Sequence, residues 1–345
     1  MSERLATIQK IHSIQPHPNK EVERLEVAKI KEWPVCIPKG QYSENELIIY
    51  IAIDSIVPET PQFEFLRKQK FRVWNARFKG APSSGLVCKL SDFNFQTSGN
   101  PHFQVNEGDD VTEQLGIKKF EKPIDIQIGG DAKGGFPTNL ISISDEDNLL
   151  SYPEALQELV GKRIYITQKA DGSSTTFIYN NNEFKACSRR LELKEGSGFP
   201  WRVVDKYDIK NKLNKFQERF PNVPGVAFQA EAVGPKLNGN RMELKDIQMR
   251  VFRAKDLNTN NLFSLRELRD FCMYYDFPMV KIVDEFDFIP EIHTVEYFRK
   301  LADSQLYDNG KPGEGIVVAP CNPFYSNILG KMWSIKLINQ NYKQE

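Results

Sequence analysis

Lys169-Ala170-Asp171-Gly172-Ser173-Ser174 sets an amine, a carboxylate, a glycine and two hydroxyls side by side, directly after the strand-like run Arg163–Thr167. A lysine at the end of a strand can be held inside a cleft. It becomes a nucleophile only as the neutral amine, so its pKa has to be pushed down by burial or by neighbouring positive charge. Gly172 lets the backbone approach a ligand closely. The same residues fit a plain surface turn between two strands, since Asp-Gly is a common hairpin signal. Taken alone, they leave both readings open.

Further chemistry-bearing segments follow in order along the chain. They are Ala186-Cys187-Ser188-Arg189-Arg190-Leu191-Glu192-Leu193, Phe228-Gln229-Ala230-Glu231-Ala232-Val233-Gly234-Pro235, Val251-Phe252-Arg253-Ala254-Lys255-Asp256, Glu314-Gly315-Ile316-Val317-Val318 and Trp333-Ser334-Ile335-Lys336-Leu337-Ile338-Asn339. Singly, each has a bland reading: Glu231 and Glu314 as solvated strand-end carboxylates, Phe252 as core, Arg189 and Arg190 as a charged strand edge. In sequence, they resemble motifs Ia, III, IIIa, IV and V of the covalent nucleotidyltransferases, with Lys169-Ala170-Asp171-Gly172 resembling motif I. ATP-dependent DNA and RNA ligases and messenger-RNA capping enzymes share these motifs.

Two features narrow the resemblance to the RNA ligases typified by the Deinococcus and Naegleria enzymes. One is the tail Gly234-Pro235 followed by Asn238-Gly239-Asn240. The other is the N-terminal stretch with Leu5-Ala6-Thr7-Ile8, Val27-Ala28, Trp33-Pro34-Val35, Phe71-Arg72-Val73 and Gly85-Leu86-Val87. In that family this region is an OB-type barrel placed before the catalytic domain. DNA ligases and capping enzymes carry theirs after it, and so little chain follows Lys336 that no C-terminal OB domain is expected.

The resemblance implies an ATP-dependent reaction. Lys169 takes up AMP from ATP, AMP passes to the 5′-phosphate of an RNA end or nick, and a 3′-hydroxyl then displaces it, as in RNA repair. Gln168, Lys169, Gly172, Arg189, Glu231, Phe252 and Lys336 are the implied ATP and AMP contacts. Phe252 would stack on adenine, Lys336 would contact the α-phosphate, and Arg189 would grip a phosphate through its fork geometry. Asp171, Glu231 and Glu314 are the implied carboxylates for a hydrated divalent metal, Mg²⁺ or Mn²⁺, which takes few direct protein ligands.

Three positions depart from the family pattern. Ser334 stands where motif V often carries its first lysine, leaving Lys336 as the second. Lys331 is nearby, but its spacing from Lys336 is wrong for one strand face. Gln168 replaces a frequent glutamate. In Ser144-Asp145-Glu146-Asp147-Asn148, Asn148 stands where relatives usually carry arginine.

The elements that must position these residues read as α+β. Residues 1–120 alternate in short strands punctuated by turns, as in a small OB-like β-barrel. The glycine-rich stretch 121–150 reads as a connector, and 151–345 as an antiparallel-sheet nucleotidyltransferase domain. Strands are expected at Arg163–Thr167, Thr175–Tyr179, Val226–Ala232, Met249–Phe252, Gly315–Val318 and Ser334–Ile338. Helices are expected at 151–160 with Ser151 as N-cap, and at 204–219, 264–275 and 294–304. Within the first domain, Arg67, Lys68, Lys70, Arg72, Arg77 and Lys79 interleave with Phe71, Trp74 and Phe78, with no acid among them. Such a surface can track a phosphate backbone and stack bases. Strand alternation equally allows the aromatics to be core and the cations their solvent-facing partners.

With 46 basic and 46 acidic residues, the chain is neutral overall, which argues against coating nucleic acid by charge alone. The start lacks an apolar signal region and no run suits a membrane span, so an intracellular monomer with no membrane partner is expected. The scattered cysteines, without CxxC spacing, fit free thiols. His12, His17, His102 and His293 form no metal-ligand pattern. Two alternatives stay open: a capping-type nucleotidyltransferase, and a nucleic-acid-binding protein with an impaired catalytic domain.

Overall fold

The computed structural model describes residues 4–93, 105–120, 131–219 and 225–342. The chain divides into two compact units, Met1–Pro123 and Ile124–Glu345. Among the described residues no helix is long and apolar enough to cross a membrane. All five cysteines are free.

The first unit is built from β1 (Ala6–Pro16), β2 (Leu25–Ile30), β3 (Trp33–Pro38), β4 (Leu47–Ile51), β5 (Ser55–Ile56), β6 (Arg72–Val73), β7 (Asn75–Phe78), β8 (Ala81–Ser84), β9 (Leu86–Lys89) and β10 (Lys118–Lys119). β1 pairs with β4 over Ala6–Lys10 and with β2 over Ile11–Pro16, with a register shift between Ile11 and Ser13. One long strand thus serves two partners, and the bulge bends it from one to the other, which curls the sheet. Ile8, Ile49, Ile51, Val57, Phe63, Phe71 and Val73 fill the interior.

The second unit holds β11 (Ala132–Gly135), β12 (Asp147–Asn148), β13 (Arg163–Gln168), β14 (Ser173–Asn180), β15 (Glu183–Ser188), β16 (Leu191–Leu193), β17 (Gly225–Val233), β18 (Gln248–Asp256), β19 (Ile282–Asp287), β20 (Gly315–Pro320), β21 (Tyr325–Ser326), β22 (Lys331–Met332) and β23 (Ile335–Ile338). Two sheets dominate, ordered β11-β16-β15-β14-β17-β18 and β12-β23-β20-β13-β19. The part of the expected connector that is described, 131–150, contributes an edge strand to each: β11 pairs with β16, and β12 runs parallel to β23. Residues 121–130 lie outside the described residues.

The helices α1 (Gly198–Tyr207), α2 (Ile209–Arg219), α3 (Leu265–Tyr275) and α4 (Val295–Asp303) complete the unit. The single helix expected at 204–219 is a pair, because Asp208 adopts a left-handed φ of 53° between them. The helix expected at 151–160 is a 3-10 turn over Pro153–Leu159, capped at Tyr152 without a side-chain bond, so Ser151 does not cap it. α3 begins at Ser264 with a reciprocal capping box to Glu267. Trp201, Val204, Ile209 and Leu213 pack with Phe177, Phe228, Ala230, Met249 and Val251 on one face of the six-stranded sheet. That leaves the alternate residues of β17, including Gln229 and Glu231, for the other face.

Candidate active site

β13 and β14 flank the Lys169-Ala170-Asp171-Gly172 segment, yet they belong to different sheets. The segment is therefore a crossing between sheets and not a hairpin, and Lys169 stands where the two diverge. Its backbone N–H donates to Gly315 O at 2.9 Å, which ties the crossing to the start of β20.

Glycine makes the crossing tight. A Cβ on Gly172 would lie 2.2 Å from Ala232 O, so the glycine lets the crossing pack against the backbone of β17, next to Glu231. At Gly315 (φ 139°) a Cβ would lie 2.1 Å from Leu337 O, which locks β20 onto β23. Gly172→Ala is expected to force the crossing away from β17 and shift Lys169 from Glu231. Overpacking of this kind costs about 1–3 kcal/mol. Thermal unfolding would show a lower midpoint, with covalent nucleotide uptake reduced; a wild-type midpoint and uptake would contradict this role for the glycine.

Carboxylates surround the lysine. Lys169 Nζ is 2.6 Å from Glu314 Oε1, in a pair with side chains 24% and 14% exposed. Burial presses the ammonium toward neutrality, but Glu314, Glu231 and Glu146 outweigh it and hold its pKa above the ordinary lysine value. The expected downward shift is thus absent, because carboxylates and not cations face the amine. Burial pushes Glu231 up to about 8, with partial relief from Lys169 and added repulsion from Glu314, Glu146 and Asp171. Glu146 feels the same burial, yet Arg253, Lys336 and Lys169 hold its carboxyl below the ordinary glutamate range. Glu146 and Arg253 form a pair at 3.0 Å with side chains about as buried as the Lys169 partner, 15% and 16% exposed.

Asp171 is buried, at 3% exposure. Its Oδ1 accepts from the Asn238 amide, and the Tyr342 hydroxyl hydrogen-bonds the same carboxylate. The Tyr307 hydroxyl donates to Lys169 O at 3.3 Å and accepts from Glu314 N at 3.1 Å, so one phenol fixes both members of the ion pair. Gln168 donates to Leu306 O at 2.9 Å and to Gln305 Oε1 at 3.4 Å.

The cations gather on Asp145. Arg189 reaches its Oδ2 at 2.9 Å and Lys336 lies 3.7 Å from its Oδ1. Lys336 sits on β23 opposite Val317, which in turn faces Thr167 on β13. Phe252 lies at a register shift of β18, between Val251 (opposite Ala230) and Arg253 (opposite Gln229). It is half-buried and stands outside the core cluster, which Met249, Val251 and Ala254 join from the same strand.

Among the described residues no group of three or more His, Cys, Asp or Glu side chains could hold a metal ion directly. The site nevertheless fits a hydrated divalent cation. Glu231, Glu314 and Glu146 crowd one ammonium, and burial, with repulsion from Glu314, Glu146 and Asp171, leaves Glu231 protonated well above the ordinary range. Hard oxygen donors with too little positive charge suit an ion that keeps its own waters.

The basic aromatic stretch of the first unit splits. Phe71 is core at 5% exposure, whereas Trp74 and Phe78 are 50% and 46% exposed. Arg67 is committed to Glu64 at 2.6 Å and Glu59 at 3.5 Å, and Arg72 to Asp54 at 2.5 Å, with its guanidinium over Phe120. Lys68, Lys70, Arg77 and Lys79 are exposed. His17 is buried and bonded to Phe78 O, and His293 is stacked on Phe286, so both are structural. His102 lies outside the described residues.

Sequence reasoning gave no role to Asp145, Glu146, Arg253, Tyr307 or Tyr342. The first two were visible only as members of the segment Ser144-Asp145-Glu146-Asp147-Asn148. Arg253 was visible as a cation inside an apolar strand.

An RNA ligase family model matches residues 162–336, and an OB-fold domain model matches residues 5–90. A search of curated protein sequences finds no match. Among solved structures, the chain is similar to Naegleria gruberi RNA ligase with pyrophosphate, at 27% identity and TM-score 0.79, covering 99% of this chain and 98% of that one. A lysine-to-alanine variant of that enzyme with ATP and Mn matches at 27% identity and TM-score 0.80, covering 98% of each chain. A lysine-to-methionine variant with AMP and Mn matches at 27% and 0.80, covering 99% and 98%. With crossing lysine, encircling carboxylates and an N-terminal OB fold in one chain, the match over residues 162–336 carries the conclusion that this protein belongs to the RNA ligase family.

Proposed function

We propose that the chain is an ATP-dependent RNA ligase that joins a 3′-hydroxyl to a 5′-phosphate through lysyl-AMP on Lys169. The observation that carries this reading is the placement of Lys169 at the crossing between two sheets, 2.6 Å from Glu314, with Lys336 and Arg189 gathered on Asp145.

In the first step the neutral Lys169 amine attacks the α-phosphorus of ATP. A phosphorus–nitrogen bond forms, the bond to the bridging oxygen breaks, and pyrophosphate leaves. The amine's proton passes to Glu314, its hydrogen-bond partner, and on to solvent. In the second step an oxygen of the RNA 5′-phosphate displaces the lysine, giving RNA-linked AMP. In the third the 3′-hydroxyl displaces AMP. Lys336 contacts the α-phosphate, Arg189 a phosphate through its fork, and Phe252 stacks on adenine beside Gln168. Gly172 keeps the crossing close to β17. Such transfers rest mainly on positioning and charge stabilisation.

A bound divalent cation, Mg²⁺ or Mn²⁺, would neutralise phosphate charge and offset Glu231 and Glu314, leaving burial to favour the neutral amine. Glu231 and Glu314 would hold it through its waters. Asp171 accepts two hydrogen bonds and keeps capacity for a further donor such as a metal-bound water.

Incubation with α-labelled ATP or GTP and a divalent metal tests the reading. Label from ATP on the denatured protein is the expected result. Label from GTP alone would indicate a capping-type enzyme, and no label would indicate a nucleic-acid-binding protein with an impaired site.

The first unit would bind RNA through the β7–β8 hairpin, where Trp74 and Phe78 are exposed beside Arg77 and Lys79, with Lys68 and Lys70 nearby in sequence. Arg67 and Arg72, neutralised by carboxylates, would contribute less. Stacking on an aromatic side chain is worth about 1–3 kcal/mol per base. Replacing Trp74 and Phe78 together by alanine should weaken single-stranded RNA binding at least about tenfold while leaving AMP transfer to Lys169 intact. Wild-type RNA affinity in that double variant would remove the hairpin from the RNA surface.

A further inference from the structure

Lys331 and Lys336 do not share a strand. Lys331 lies on β22, paired with Ser326 of β21, and Lys336 lies on β23. Between them the chain is pinned: Trp333 is 2% exposed, its indole N–H donates to Ala155 O at 3.1 Å, and its backbone N–H donates to Phe324 O at 2.9 Å. Ser334 is 7% exposed, and its short hydroxyl has neither the reach nor the charge of a lysine. The face-parity argument against Lys331 therefore does not apply.

The two ammonium groups converge on one segment. Lys331 Nζ lies 2.5 Å from Asp145 O and 2.8 Å from Asp147 Oδ2, while Lys336 Nζ lies 3.7 Å from Asp145 Oδ1. The backbone brings them there, because β12 runs parallel to β23 with Asp147 opposite Ile335 and Asn148 opposite Lys336. Two of the three departures from the family pattern lie close to these residues in the chain: Asn148 follows Asp147, and Ser334 stands between Lys331 and Lys336. Its side chain is 38% exposed and that of Asp147 17%.

Direction follows from sheet order. From β13, which leads to Lys169, the order runs β20, β23, β12. Lys331 contacts Asp145 and Asp147 of the edge segment, which lies beyond β23 in that order, while Glu146 between them interacts with both Lys336 and Lys169. In-line displacement puts the leaving group opposite the attacking amine. On the adenylation reading the α-phosphorus would lie between Lys169 and Lys336, and pyrophosphate would then extend toward the edge segment that Lys331 contacts.

We infer that Lys331 is a nucleotide-binding residue for the β- and γ-phosphates of ATP, resting on Asp145 and Asp147 when no nucleotide is bound. The inference rests on the adenylation reading above. Asp147 is then a holding partner that nucleotide phosphate displaces.

The alternative is a bridge that merely staples β22 to β12. The two roles give opposite signs. Lys331→Ala removes the phosphate contact, whereas Asp147→Asn breaks the same bridge and keeps the ammonium. Adenylation of the full chain with α-labelled ATP and Mn²⁺ is measured across ATP concentration, and sealing of chemically pre-adenylated RNA is measured in parallel. Thermal midpoints confirm folding.

For Lys331→Ala the ATP KM should rise about 10–100-fold, the worth of a charge-assisted contact. Sealing of pre-adenylated RNA, which has no pyrophosphate to hold, should fall far less. Lys331→Arg should restore most of the affinity, and Asp147→Asn should hold KM at or below the wild-type value. An unchanged KM in Lys331→Ala, or a KM raised equally by Asp147→Asn, overturns the assignment. Absence of lysyl-AMP in the wild type overturns the adenylation reading itself.

Discussion

Lys169→Ala is expected to retain no AMP on the denatured protein and to lose sealing of 5′-phosphate RNA by about 10³-fold or more, the scale on which removing a covalent nucleophile acts. Sealing of pre-adenylated RNA should fall much less, because the third step makes no bond to the lysine. The split matters because Lys169 also holds two carboxylates. Glu314 lies 2.6 Å from its ammonium, and Glu231 is partly relieved by it. An alanine variant could lose activity through those neighbours alone.

Lys169→Arg separates the two roles. It keeps a positive charge beside Glu314 but cannot present a neutral amine. Its thermal midpoint should stay near that of the wild type while adduct formation is still abolished. Label retained by either variant would place the nucleophile elsewhere. The protonation state sets the pH dependence. The ligand-free ammonium is held above the ordinary lysine range, so the fraction of neutral amine rises with pH. Adduct formation should accelerate with rising pH. Because the carboxylates that hold the proton are also the proposed metal contacts, that rise should be centred at lower pH with Mn²⁺ than with weaker-binding Mg²⁺.

Much of this was legible in the residues, and the failures have local causes. The order Lys169, Arg189, Glu231, Phe252, Glu314, Lys336 is a linear property, and the strands that carry these residues alternate or run apolar as strands do. What a sequence does not display is which strands pair. Asp171-Gly172 reads as a hairpin because β13 and β14 are adjacent in the chain, yet each finds its partners elsewhere. That Gly172 packs against Ala232 O likewise depends on a strand pairing that the sequence does not display.

Strand parity misled at one place: Lys331 and Lys336 are separated by the pinned Trp333. Around β6 it held, with Phe71 and Val73 buried and Trp74 and Phe78 exposed at alternate positions. Asp145 and Glu146 were legible as part of a segment but not as partners of cations, because their partners are far away in the chain. Arg253 and Lys336 meet them from distant strands and Arg189 from the turn after β15.

Glu231→Gln should make the ligand-free protein more stable at pH 8 while reducing adenylation by about 10²–10³-fold, the range for losing one electrostatic partner of a transition state. The folded protein holds the Glu231 proton up to about pH 8, against an ordinary value of 4.5. Between those values the folded state binds a proton that the unfolded state releases, so wild-type stability falls as pH rises through this window. Glutamine keeps the shape and does not titrate. The variant's midpoint should therefore be flatter from pH 5 to 8 and exceed that of the wild type at the upper end, by about 2–4 °C for each kcal/mol relieved.

Divalent cation reverses the order. A metal that interacts with the Glu231 anion stabilises the wild type through binding, and Glu231→Gln gains less from it. Unfolding scans at pH 5.5 and 8, with and without Mn²⁺, measure all four states. A Gln variant that is less stable than wild type at pH 8 without metal would mean that the carboxylate is a structural anion satisfied by Lys169. Its crowding by Glu314, Glu146 and Asp171 would then have no part in drawing a cation to the site.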